Sequence, residues 1–598
     1  MKRIRFISTI LALSIAIVPF TLGAPAQALP ISNADTISSQ LMSVMEQKSS
    51  DSSAKIPVQI QLKDTVDYVS VEKQAMDISN ISEQEIAYVE LDASVFAAEN
   101  YSVDANVITP FAVKQNSDFN IDATLDKAQI EVKYEEYRQI RIDKICDEVA
   151  DINQSFLQKY NIQAESVSLS LPDINLAYLT AEEIENISKD NSVERIDIVD
   201  IYETYSCGYS LSSADSCIRS NTSRNNGYDG TGVKIGVVEH GWANRNLIGS
   251  KLTNVGGPTT GTDDHATFVA GEIHTLVPGA NIYLIKSASN TTVADLDALE
   301  RLMTVNKVQV INMSLGFNSY GQYNDASRRL DRLVRQNKVT VVVAAGNNNT
   351  YVSGYGVANN VITVGSVNHR GYTTASSSTY TFSSFSDYAE ASGVINKPDV
   401  CAPGENLNLY GYTGWSGTSM ATPLITGIVA QMIDRNSGMS DKPQILKAAV
   451  MASCYFNART GFTNNISNKE GAGVVDANFT YRVAQNGRRW HFDFTPSSAS
   501  SQTHSIYADY TSKAFRISIA WEGEIVNNTN KLTDYDLYIY KGNTLVASST
   551  GVRNNEVIII PASKIAQYGA GYYTAKIVRY GTAKTSSDRV GLAWEQES

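Results

Sequence analysis

The 598-residue sequence has no cluster of basic residues and, after its first 28 residues, no apolar run long enough to cross a membrane. A spanning helix needs about 20 apolar residues, and nucleic-acid-binding proteins concentrate Lys and Arg on one face. We therefore expect neither a membrane span in the mature chain nor a nucleic-acid partner. Acidic residues outnumber basic ones, 62 to 49, and the formal charge of −13 is spread along the chain, which favours solubility.

Cysteine and histidine are also scarce, with five and six residues. Their spacing does not resemble a zinc site. An odd number of cysteines leaves at least one without a disulfide partner. Cys146 lies in the N-terminal region, residues 29–205, and the other four cysteines lie in the region that follows it. Cys207 and Cys217 could close a short loop. Cys401 and Cys454 are either bridge partners or small buried apolar residues.

The first 28 residues have the three parts of a secretory signal peptide. Lys2, Arg3 and Arg5 form a positive start, residues 7–22 are mostly apolar, and residues 26–28 (Ala-Gln-Ala) form a small-residue cleavage site. Such a segment directs export and is then removed. We therefore expect a secreted, extracellular protein, in which disulfides are permitted.

Three regions with different patterns follow the signal peptide, residues 1–28. Residues 29–205 predict a small α/β region. Residues 206–485 alternate apolar β-rich runs with helical patterns, which is typical of a parallel sheet with helices on both faces. Residues 486–598 contain short alternating strands separated by turn residues, which predicts a β-sandwich.

Local patterns predict individual elements within these regions. In the first region we expect the following helices and strands: helix Asp122–Tyr160, strand Val167–Leu171, a short helix with Thr180 and Glu183 as a capping box, and strand Val193–Ile201. In the second region we expect these strands: Val233–Val238, Asn281–Lys286, Val308–Leu315, Val339–Ala345 and Val361–Val367. One helix is expected to begin at His265. Three further helices are expected at Val293–Met303, Asp325–Arg335 and Leu424–Ile433.

A serine stands at the mouth of an apolar helix in the segment Gly417–Pro423 (Gly-Thr-Ser-Met-Ala-Thr-Pro). Free backbone N–H groups at a helix start favour negative charge. The N–H of Ser419 would therefore stabilise an oxyanion that forms on a substrate carbonyl. The small neighbours leave room for a substrate backbone.

Gly417–Pro423 resembles the nucleophile motif of the subtilisin family, residue for residue. Over residues 206–485, four further segments resemble family motifs in the family's order. They are Asp264–Gly271 (the histidine motif), Ser314-Leu315-Gly316 (the substrate-binding strand), Ala344–Asn347 (the oxyanion asparagine) and Lys397–Gly404 (the strand and loop before the nucleophile).

The resemblance implies a subtilisin-like α/β fold and hydrolysis of peptide bonds in protein or peptide substrates, with no organic cofactor. Ser419 would attack the scissile carbonyl, and His265 would take its proton and return it to the leaving amine. Asn347 would donate its side-chain N–H to the oxyanion. Ser314, Leu315 and Gly316 would hold the substrate backbone.

The family's acidic residue is an Asp at the end of the first sheet strand, but this sequence has Glu239 there. Glu is one methylene longer than Asp, and Ser-His-Glu triads occur on other folds. We expect Glu239 to orient His265. Asp263 and Asp264 are alternatives, although a residue so close to His265 in sequence would reach the correct ring nitrogen with difficulty. We expect His240 to point away from Glu239 and to be structural.

Two further positions depart from the family pattern. Ala266 stands where Gly is usual, and because Ala is small and favours helix we expect little effect. Phe317 stands where a small residue is usual. It either lines the specificity pocket or packs inward.

The end of the first region resembles a subtilisin inhibitory propeptide over Ala177–Ile184 and Ser192–Ile196. The likeness implies that residues 29–205 act as an intramolecular inhibitor and folding aid. It also implies a cut near Tyr205, between residues 200 and 226. The alternative is an unrelated accessory domain.

The C-terminal region resembles the β-sandwich of some bacterial subtilases, over Thr533–Tyr538 and Asn554–Val557. Asp534 and Asp536 could place oxygens on a structural calcium ion. The alternative is that these alternating acids form the solvated face of a strand.

The sequence therefore predicts a secreted serine endopeptidase that works through an acyl-enzyme at Ser419. One alternative, suggested by Glu239, is a weak or inactive subtilisin fold that binds peptides. A second is a cell-surface adhesion protein whose β-sandwich is the functional part.

Overall fold

The computed structural model describes most of the chain after residue 52. The described residues are 36–37, 41–42, 44–45, 53–82, 85–86, 89, 127–198, 211–259, 261, 263–352, 354–373, 380–389, 397–455, 469–485, 487–526, 529–551 and 554–596. The predicted signal peptide, Cys207 and the predicted cleavage point near Tyr205 lie outside them. Among the described residues, no helix combines the length and apolar content that a membrane span requires.

The N-terminal unit is a four-stranded antiparallel sheet with helices, in the strand order β2-β3-β1-β4. Its elements are β1 (Ile56–Leu62), α1 (Tyr68–Ser79), α2 (Lys127–Tyr160), β2 (Ala164–Val167), β3 (Asp173–Leu179), α3 (Ala181–Ile187) and β4 (Val193–Ile198). The capping box is present, because Thr180 Oγ1 accepts from Glu183 N–H and the Glu183 carboxylate accepts from Thr180 N–H. Helix α2 extends from Lys127 to Tyr160, and the earlier residues of the predicted helix are not described.

The strand predicted at Val167–Leu171 is wrong. Strand β2 ends at Val167, and the next residues bend toward β3. The hydroxyls of Ser168 and Ser170 both donate to the carboxylate of Glu300, which lies in the following domain. The serines alternate with apolar residues because of this contact across the interface, and not because of a sheet.

The central domain contains a ten-stranded sheet and its covering helices. Its strands are β5 (Lys234–Glu239), β6 (Leu252–Asn254), β7 (Asn281–Lys286), β8 (Val310–Met313), β9 (Thr340–Ala344), β10 (Ile362–Asn368), β11 (Thr381–Phe382), β12 (Val400–Pro403), β15 (Cys454–Tyr455) and β16 (Val474–Val475), with the separate hairpin β13 (Leu407–Leu409) and β14 (Tyr412–Trp415). Its α-helices are α4 (Ser212–Cys217), α5 (Asn221–Asn225), α6 (Arg245–Ile248), α7 (Asp264–Leu276), α8 (Thr292–Thr304), α9 (Asp325–Asn337), α10 (Thr418–Arg435), α11 (Pro443–Ala452) and α12 (Ala477–Gln485). Short 3-10 turns lie at Gly354–Val357 and Ser437–Met439.

The sheet order is β15-β16-β12-β10-β9-β8-β5-β7-β6, with β11 beside β10. All neighbours from β16 to β6 are parallel. One face packs against α7 and α10, and the other packs against α8 and α9. The predicted parallel α/β architecture is confirmed. Because the carboxyl ends of parallel strands meet at one edge, β5, β8 and β9 bring Glu239, Ser314 and Asn347 to the same edge.

Two element boundaries differ from the prediction in a way that affects the site. Strand β8 ends at Met313, so residues 314–316 follow the strand. Helix α10 begins at Thr418 and not at Leu424, so Ser419 lies inside the first turn of the helix.

The C-terminal region consists of two antiparallel four-stranded sheets, as the predicted β-rich domain requires. Their orders are β17-β26-β19-β24 and β18-β25-β22-β23, and a two-stranded ribbon, β20-β21, lies beside them. The elements are β17 (Arg489–Phe494), β18 (Ser501–Ala508), β19 (Phe515–Ala520), β20 (Glu524–Val526), β21 (Thr529–Lys531), β22 (Asp534–Lys541), β23 (Thr544–Ser549), β24 (Asn555–Ile560), α13 (Ala562–Tyr568), β25 (Gly571–Tyr580) and β26 (Asp588–Gln596).

The β-sandwich packs closely on helix α11 of the central domain. Strand β26 approaches the helix at Gly591, where a Cβ would lie 2.6 Å from the carbonyl oxygen of Gln444. Only glycine therefore permits this approach. Because the backbones of β26 and α11 lie this close together, the β-sandwich is packed directly against the central domain.

Candidate active site

The end of β5 and the start of α7 bring a carboxylate and an imidazole together. His265 is the second residue of α7, and Asp263 caps this helix by accepting from Ala266 N–H at 2.7 Å. The Glu239 carboxylate, only 3% exposed, lies with Oε2 3.0 Å from Nδ1 of His265. An acceptor at Nδ1 holds the hydrogen there and leaves Nε2 free to take a proton.

The electrostatics of this pair favour a protonatable imidazole. Burial by itself lowers the pKa of His265, because desolvation disfavours the imidazolium. The negative charge and hydrogen bond of Glu239, together with the charge of Asp263, more than offset burial and raise the pKa of His265 above its usual value. The pair can therefore stabilise the imidazolium that forms when a nucleophile loses its proton.

The two alternative acids have other partners. Asp263 Oδ1 is engaged as the N-cap of α7. Asp264 Oδ1 accepts from the Tyr412 hydroxyl at 2.9 Å. The only acidic side chain that the structure places in hydrogen-bond contact with His265 among the described residues is Glu239.

Ser419 lies in the first turn of α10 and is 5% exposed. Its hydroxyl donates to the carbonyl oxygen of Ser314 at 2.9 Å, and the Ser314 hydroxyl donates to the Ser419 carbonyl at 2.8 Å. This reciprocal pair fixes the segment after β8 against the start of α10. Nε2 of His265 is buried and has no hydrogen-bond partner among the described residues. The Ser419 hydroxyl must therefore leave the Ser314 carbonyl before it can donate to His265, and such bonds commonly form only in the substrate complex.

The Asn347 side chain is oriented by the residue before the serine. Its Oδ1 accepts from Thr418 N–H at 2.8 Å and from the Thr418 hydroxyl at 3.0 Å. Because the amide oxygen is used in this way, the Nδ2 group is the part left to donate. Nδ2 faces Gly417, where an added Cβ would lie 3.3 Å from it. A donor directed to the mouth of the serine helix is what an oxyanion requires.

Residues 314–316 continue the line of β8 along the sheet edge. Leu315 is buried, and Gly316 has open space where a side chain would be. Phe317 is 5% exposed, and its ring meets the Tyr355 ring edge-on, with centroids 5.2 Å apart. Of the two alternatives for Phe317, inward packing is the one observed.

The remaining histidines lie apart from this centre. His240 bonds through Nε2 to Asp295 Oδ1 at 3.1 Å, so it is directed away from Glu239, as expected. His369 contacts the Ser213 hydroxyl, and His504 stacks on Trp490 in the β-sandwich. His274 and His491, the other two, lie in α7 and β17.

Four cysteines are described, and all four are free thiols. Cys401 and Cys454 are buried, so the second alternative for them, small apolar core residues, holds. Cys217 is buried as well, and its possible partner Cys207 lies outside the described residues.

The described residues contain no group of three or more His, Cys, Asp or Glu that could hold a metal ion. Asp534 and Asp536 lie two residues apart in β22, so they share a strand face. Asp536 Oδ2 accepts from the Tyr538 hydroxyl at 3.2 Å. Two carboxylates supply too few ligands for calcium by themselves, and a calcium ion here stays a prediction.

The parallel sheet, the Glu–His pair and the serine at the helix start define a subtilisin-like domain. A sequence model of the subtilase family matches residues 230–473. This match covers less than half of the chain, so it shows that residues 230–473 are similar to the family.

Three curated proteins illustrate the similarity. An alkaline proteinase of Hapsidospora chrysogena is 31% identical over 33% of this chain and 50% of its own length. The serine protease AprX of Bacillus subtilis (strain 168) is 28% identical over 42% of this chain and 66% of its own length. An extracellular protease of Xanthomonas campestris pv. campestris is 28% identical over 43% of this chain and 46% of its own length. The chain thus spans about half to two thirds of the length of these relatives.

Proposed function

We propose that this chain is a secreted serine endopeptidase that hydrolyses peptide bonds through an acyl-enzyme at Ser419. The observation that carries the proposal is the 3.0 Å contact between Glu239 Oε2 and His265 Nδ1, beside a serine in the first turn of a helix. The names of the similar proteins, which include an extracellular protease, support peptidase activity and export.

The chemistry follows from these positions. Ser419 Oγ attacks the scissile carbonyl while His265 Nε2 takes its proton, and Glu239 stabilises the resulting imidazolium. The oxyanion accepts hydrogen bonds from Asn347 Nδ2 and from the Ser419 N–H. His265 then gives the proton to the leaving amine, and the C–N bond breaks. A water molecule, deprotonated by His265, hydrolyses the acyl-enzyme and restores Ser419.

Labelling with a fluorophosphonate tests the proposal. Only an activated serine forms the covalent phosphonyl ester, so wild type should gain one adduct on the peptide that contains Ser419, and Ser419→Ala should gain none. Mass spectrometry of the digested protein locates the adduct. A folded wild-type protein that gains no adduct and hydrolyses no peptide would favour a peptide-binding protein without turnover. The observation that favours this alternative is that the Ser419 hydroxyl donates to the Ser314 carbonyl and not to His265.

We also propose that residues 29–205 act as the intramolecular inhibitor of this site. Support comes from the interface that the N-terminal unit forms with α8 and α9. The Arg332 guanidinium of α9 donates to both oxygens of Asp173, at 2.8 and 2.6 Å. Asp297 of α8 accepts from Asn175 Nδ2 at 2.6 Å, and Glu300 accepts from the two serines after β2.

Burial makes this interface specific. Glu300 is 1% exposed, and it also pairs with the buried guanidinium of Arg329 at 3.1 Å. Removing one member of such a group leaves an unpaired buried charge, which is strongly unfavourable. The N-terminal unit is therefore held in one orientation, with its strands beside α8 and α9, the helices that cover one face of the sheet.

The precursor is expected to be cut between residues 200 and 226, and the packing of the mature start favours the first part of that window. Leu211, Ala214, Cys217 and Ile218 are buried in the core of the central domain, so a cut beyond residue 211 would remove packed residues. Mass spectrometry of the secreted chain should give a start between residues 201 and 211. Ser419→Ala should remain uncut if the cleavage is its own. A secreted chain that begins at Leu29 would contradict the propeptide assignment.

A further inference from the structure

The loop that carries Asn347 is held by a segment about 40 residues later in the chain. Residues 385–389 run alongside residues 346–352 and exchange backbone hydrogen bonds with them. Asp387 N–H donates to the Gly346 carbonyl at 2.9 Å, Asn349 N–H donates to the Phe385 carbonyl at 2.8 Å, and Tyr388 N–H donates to the Thr350 carbonyl at 2.8 Å.

The side chain of Asp387 contacts the residues on either side of Asn347. Its Oδ1 accepts from the N–H of Asn348 at 2.8 Å and from the N–H of Thr350 at 2.9 Å. Oδ2 lies beside Gly346, where an added Cβ would be only 2.2 Å away, and Gly346 has φ of +109°. Glycine is therefore required both by the backbone conformation and by the closeness of the carboxylate. The carboxylate thus touches residues on both sides of Asn347 in sequence.

From this arrangement we propose that Asp387 is a positioning residue for the oxyanion hole. It fixes the backbone of Asn347 while Thr418 fixes the amide oxygen, so that Nδ2 is held at the mouth of the serine helix. The inference rests on the proposed peptidase function. It adds a residue that contacts neither the substrate nor the triad.

The ionised form of Asp387 is the one that holds the loop best, because hydrogen bonds to a charged acceptor are about twice as strong as neutral ones. The side chain is fully buried, and burial raises its pKa to about 6, although the N–H groups of Thr350 and Asn348 act to lower it. Asp387 is therefore charged above about pH 6 and neutral below it.

The charged groups on the packed segments have partners elsewhere. Lys397 donates to Asp399 at 2.8 Å, and Lys469 lies 4.6 Å above the Tyr388 ring. Burial lowers the pKa of His369 to about 4, so this residue is neutral across the relevant range. The protonation of Asp387 is therefore governed by burial, by the two backbone N–H groups and by the side-chain amide of Asn348.

The effect of Asp387 on stability distinguishes a residue that positions the loop from one that stabilises the fold. The pKa of Asp387 is raised in the folded state, so the folded protein binds a proton between about pH 4 and 6 that the unfolded chain has released. Its contribution to the free energy of unfolding therefore falls as the pH rises through that range. Replacing Asp387 by a neutral residue should not lower the melting temperature at pH 8, even though it loosens the loop.

The test compares kcat for wild type and Asp387→Asn between pH 5 and 9. At pH 8 the variant should lose about tenfold in kcat with little change in KM, because the misplaced donor acts mainly in the transition state. Complete removal of the donor in Asn347→Ala should cost about 100- to 1,000-fold. The ratio of wild type to Asp387→Asn should shrink toward one below pH 6, where wild-type Asp387 is neutral. Titration of His265 affects both proteins alike and cancels in the ratio.

Asp331→Asn is the matched control. Asp331 is a buried carboxylate that accepts from the backbone N–H groups of Asn359 and Asn360, at 3.0 and 2.7 Å, and burial raises its pKa as well. It makes the same kind of contact on a loop that does not carry Asn347, so kcat should stay within about twofold of wild type at every pH. A kcat of Asp387→Asn within twofold of wild type at pH 8 would contradict the proposal, as would a tenfold loss that does not change with pH.

Hydrogen exchange of the amides of Asn348 and Thr350 provides a readout that does not need turnover. After correction for intrinsic rates, exchange should be faster in Asp387→Asn than in wild type at pH 8, and wild type should lose the difference below pH 6. If wild type shows this protection but hydrolyses nothing, the proposed function fails and the positioning of the loop stands. If the amides exchange equally in both proteins, the positioning role is wrong whatever the activity.

Discussion

Replacing Ser419 with alanine is expected to lower kcat by about a millionfold, which is the loss measured when a peptidase of this mechanism loses its serine. Ser419 Oγ is the atom that forms the covalent bond in the proposed reaction, and the neighbouring hydroxyls of Thr418 and Ser314 donate to Asn347 Oδ1 and to the Ser419 carbonyl instead. The residual rate would come from the oxyanion donors and from substrate binding alone.

The same change should barely affect stability. Among the residues that the structure describes, the Ser419 hydroxyl donates one hydrogen bond, to the Ser314 carbonyl, and losing such a bond costs about 1 kcal/mol. Alanine is also a favourable helix residue, and position 419 lies in the first turn of α10. The melting temperature should therefore change by only a few degrees, and a peptide substrate should still bind.

A matched control lies two turns further along the same helix. Thr426 is buried, and its hydroxyl donates to Asn312 Oδ1 at 3.0 Å. Thr426→Val removes one buried hydroxyl from α10 at a residue outside the triad and the oxyanion hole, so it should lower stability but leave kcat within about twofold. The nucleophile assignment is wrong if Ser419→Ala retains wild-type turnover of a chromogenic peptide.

Glu239→Gln is expected to lower kcat by up to ten-thousandfold, as the comparable acid-to-amide change does in a serine protease of known mechanism. The amide can present a donor to Nδ1 of His265, which favours the wrong tautomer. It also removes the negative charge that raises the pKa of His265 against the effect of burial. The imidazole would then be both misdirected and a weaker base.

Glu239→Asp restores the residue that is usual in the family, yet activity should fall. The change shortens the side chain by one carbon–carbon bond, roughly 1.5 Å, from a contact that is already 3.0 Å long. Strand β5 cannot advance to close this gap, because Val238 pairs with both β7 and β8 and the Glu239 carbonyl accepts from Ser287 N–H at 2.8 Å. We expect reduced kcat and unchanged folding.

The two neighbouring acids provide the comparison for Glu239. Asp263→Asn should keep near-normal turnover, because asparagine caps a helix as well as aspartate does. Asp264→Asn should do the same, since it changes only the contact with the Tyr412 hydroxyl. Steady-state kinetics on all three amide variants decides between the assignments. Near-normal turnover in Glu239→Gln with loss in either Asp variant would overturn Glu239 as the acid and leave Ser419 in place.

The sequence by itself determined the features that depend on neighbouring residues. The Val- and Ile-rich strands and the helices between them predicted the parallel sheet. This pattern is visible in the sequence because a strand covered on both faces needs apolar residues throughout. Thr180 and Glu183 predicted their capping box because a cap involves residues only three positions apart. Ser419 could be placed at a helix mouth for the same reason, although the helix begins six residues earlier than predicted.

The tertiary structure decided what depends on distant residues. The alternating serines after β2 indicated a strand, but they bind Glu300, about 130 residues away. Phe317 packs on Tyr355, and no local pattern distinguishes that position from a pocket wall. Asp387 left no signal in the sequence, since its partners are backbone N–H groups, which every residue except proline carries. Whether Glu239 reaches His265 was likewise set by the position of β5 in the sheet, because a contact of 3.0 Å between residues of separate elements depends on how those elements pack.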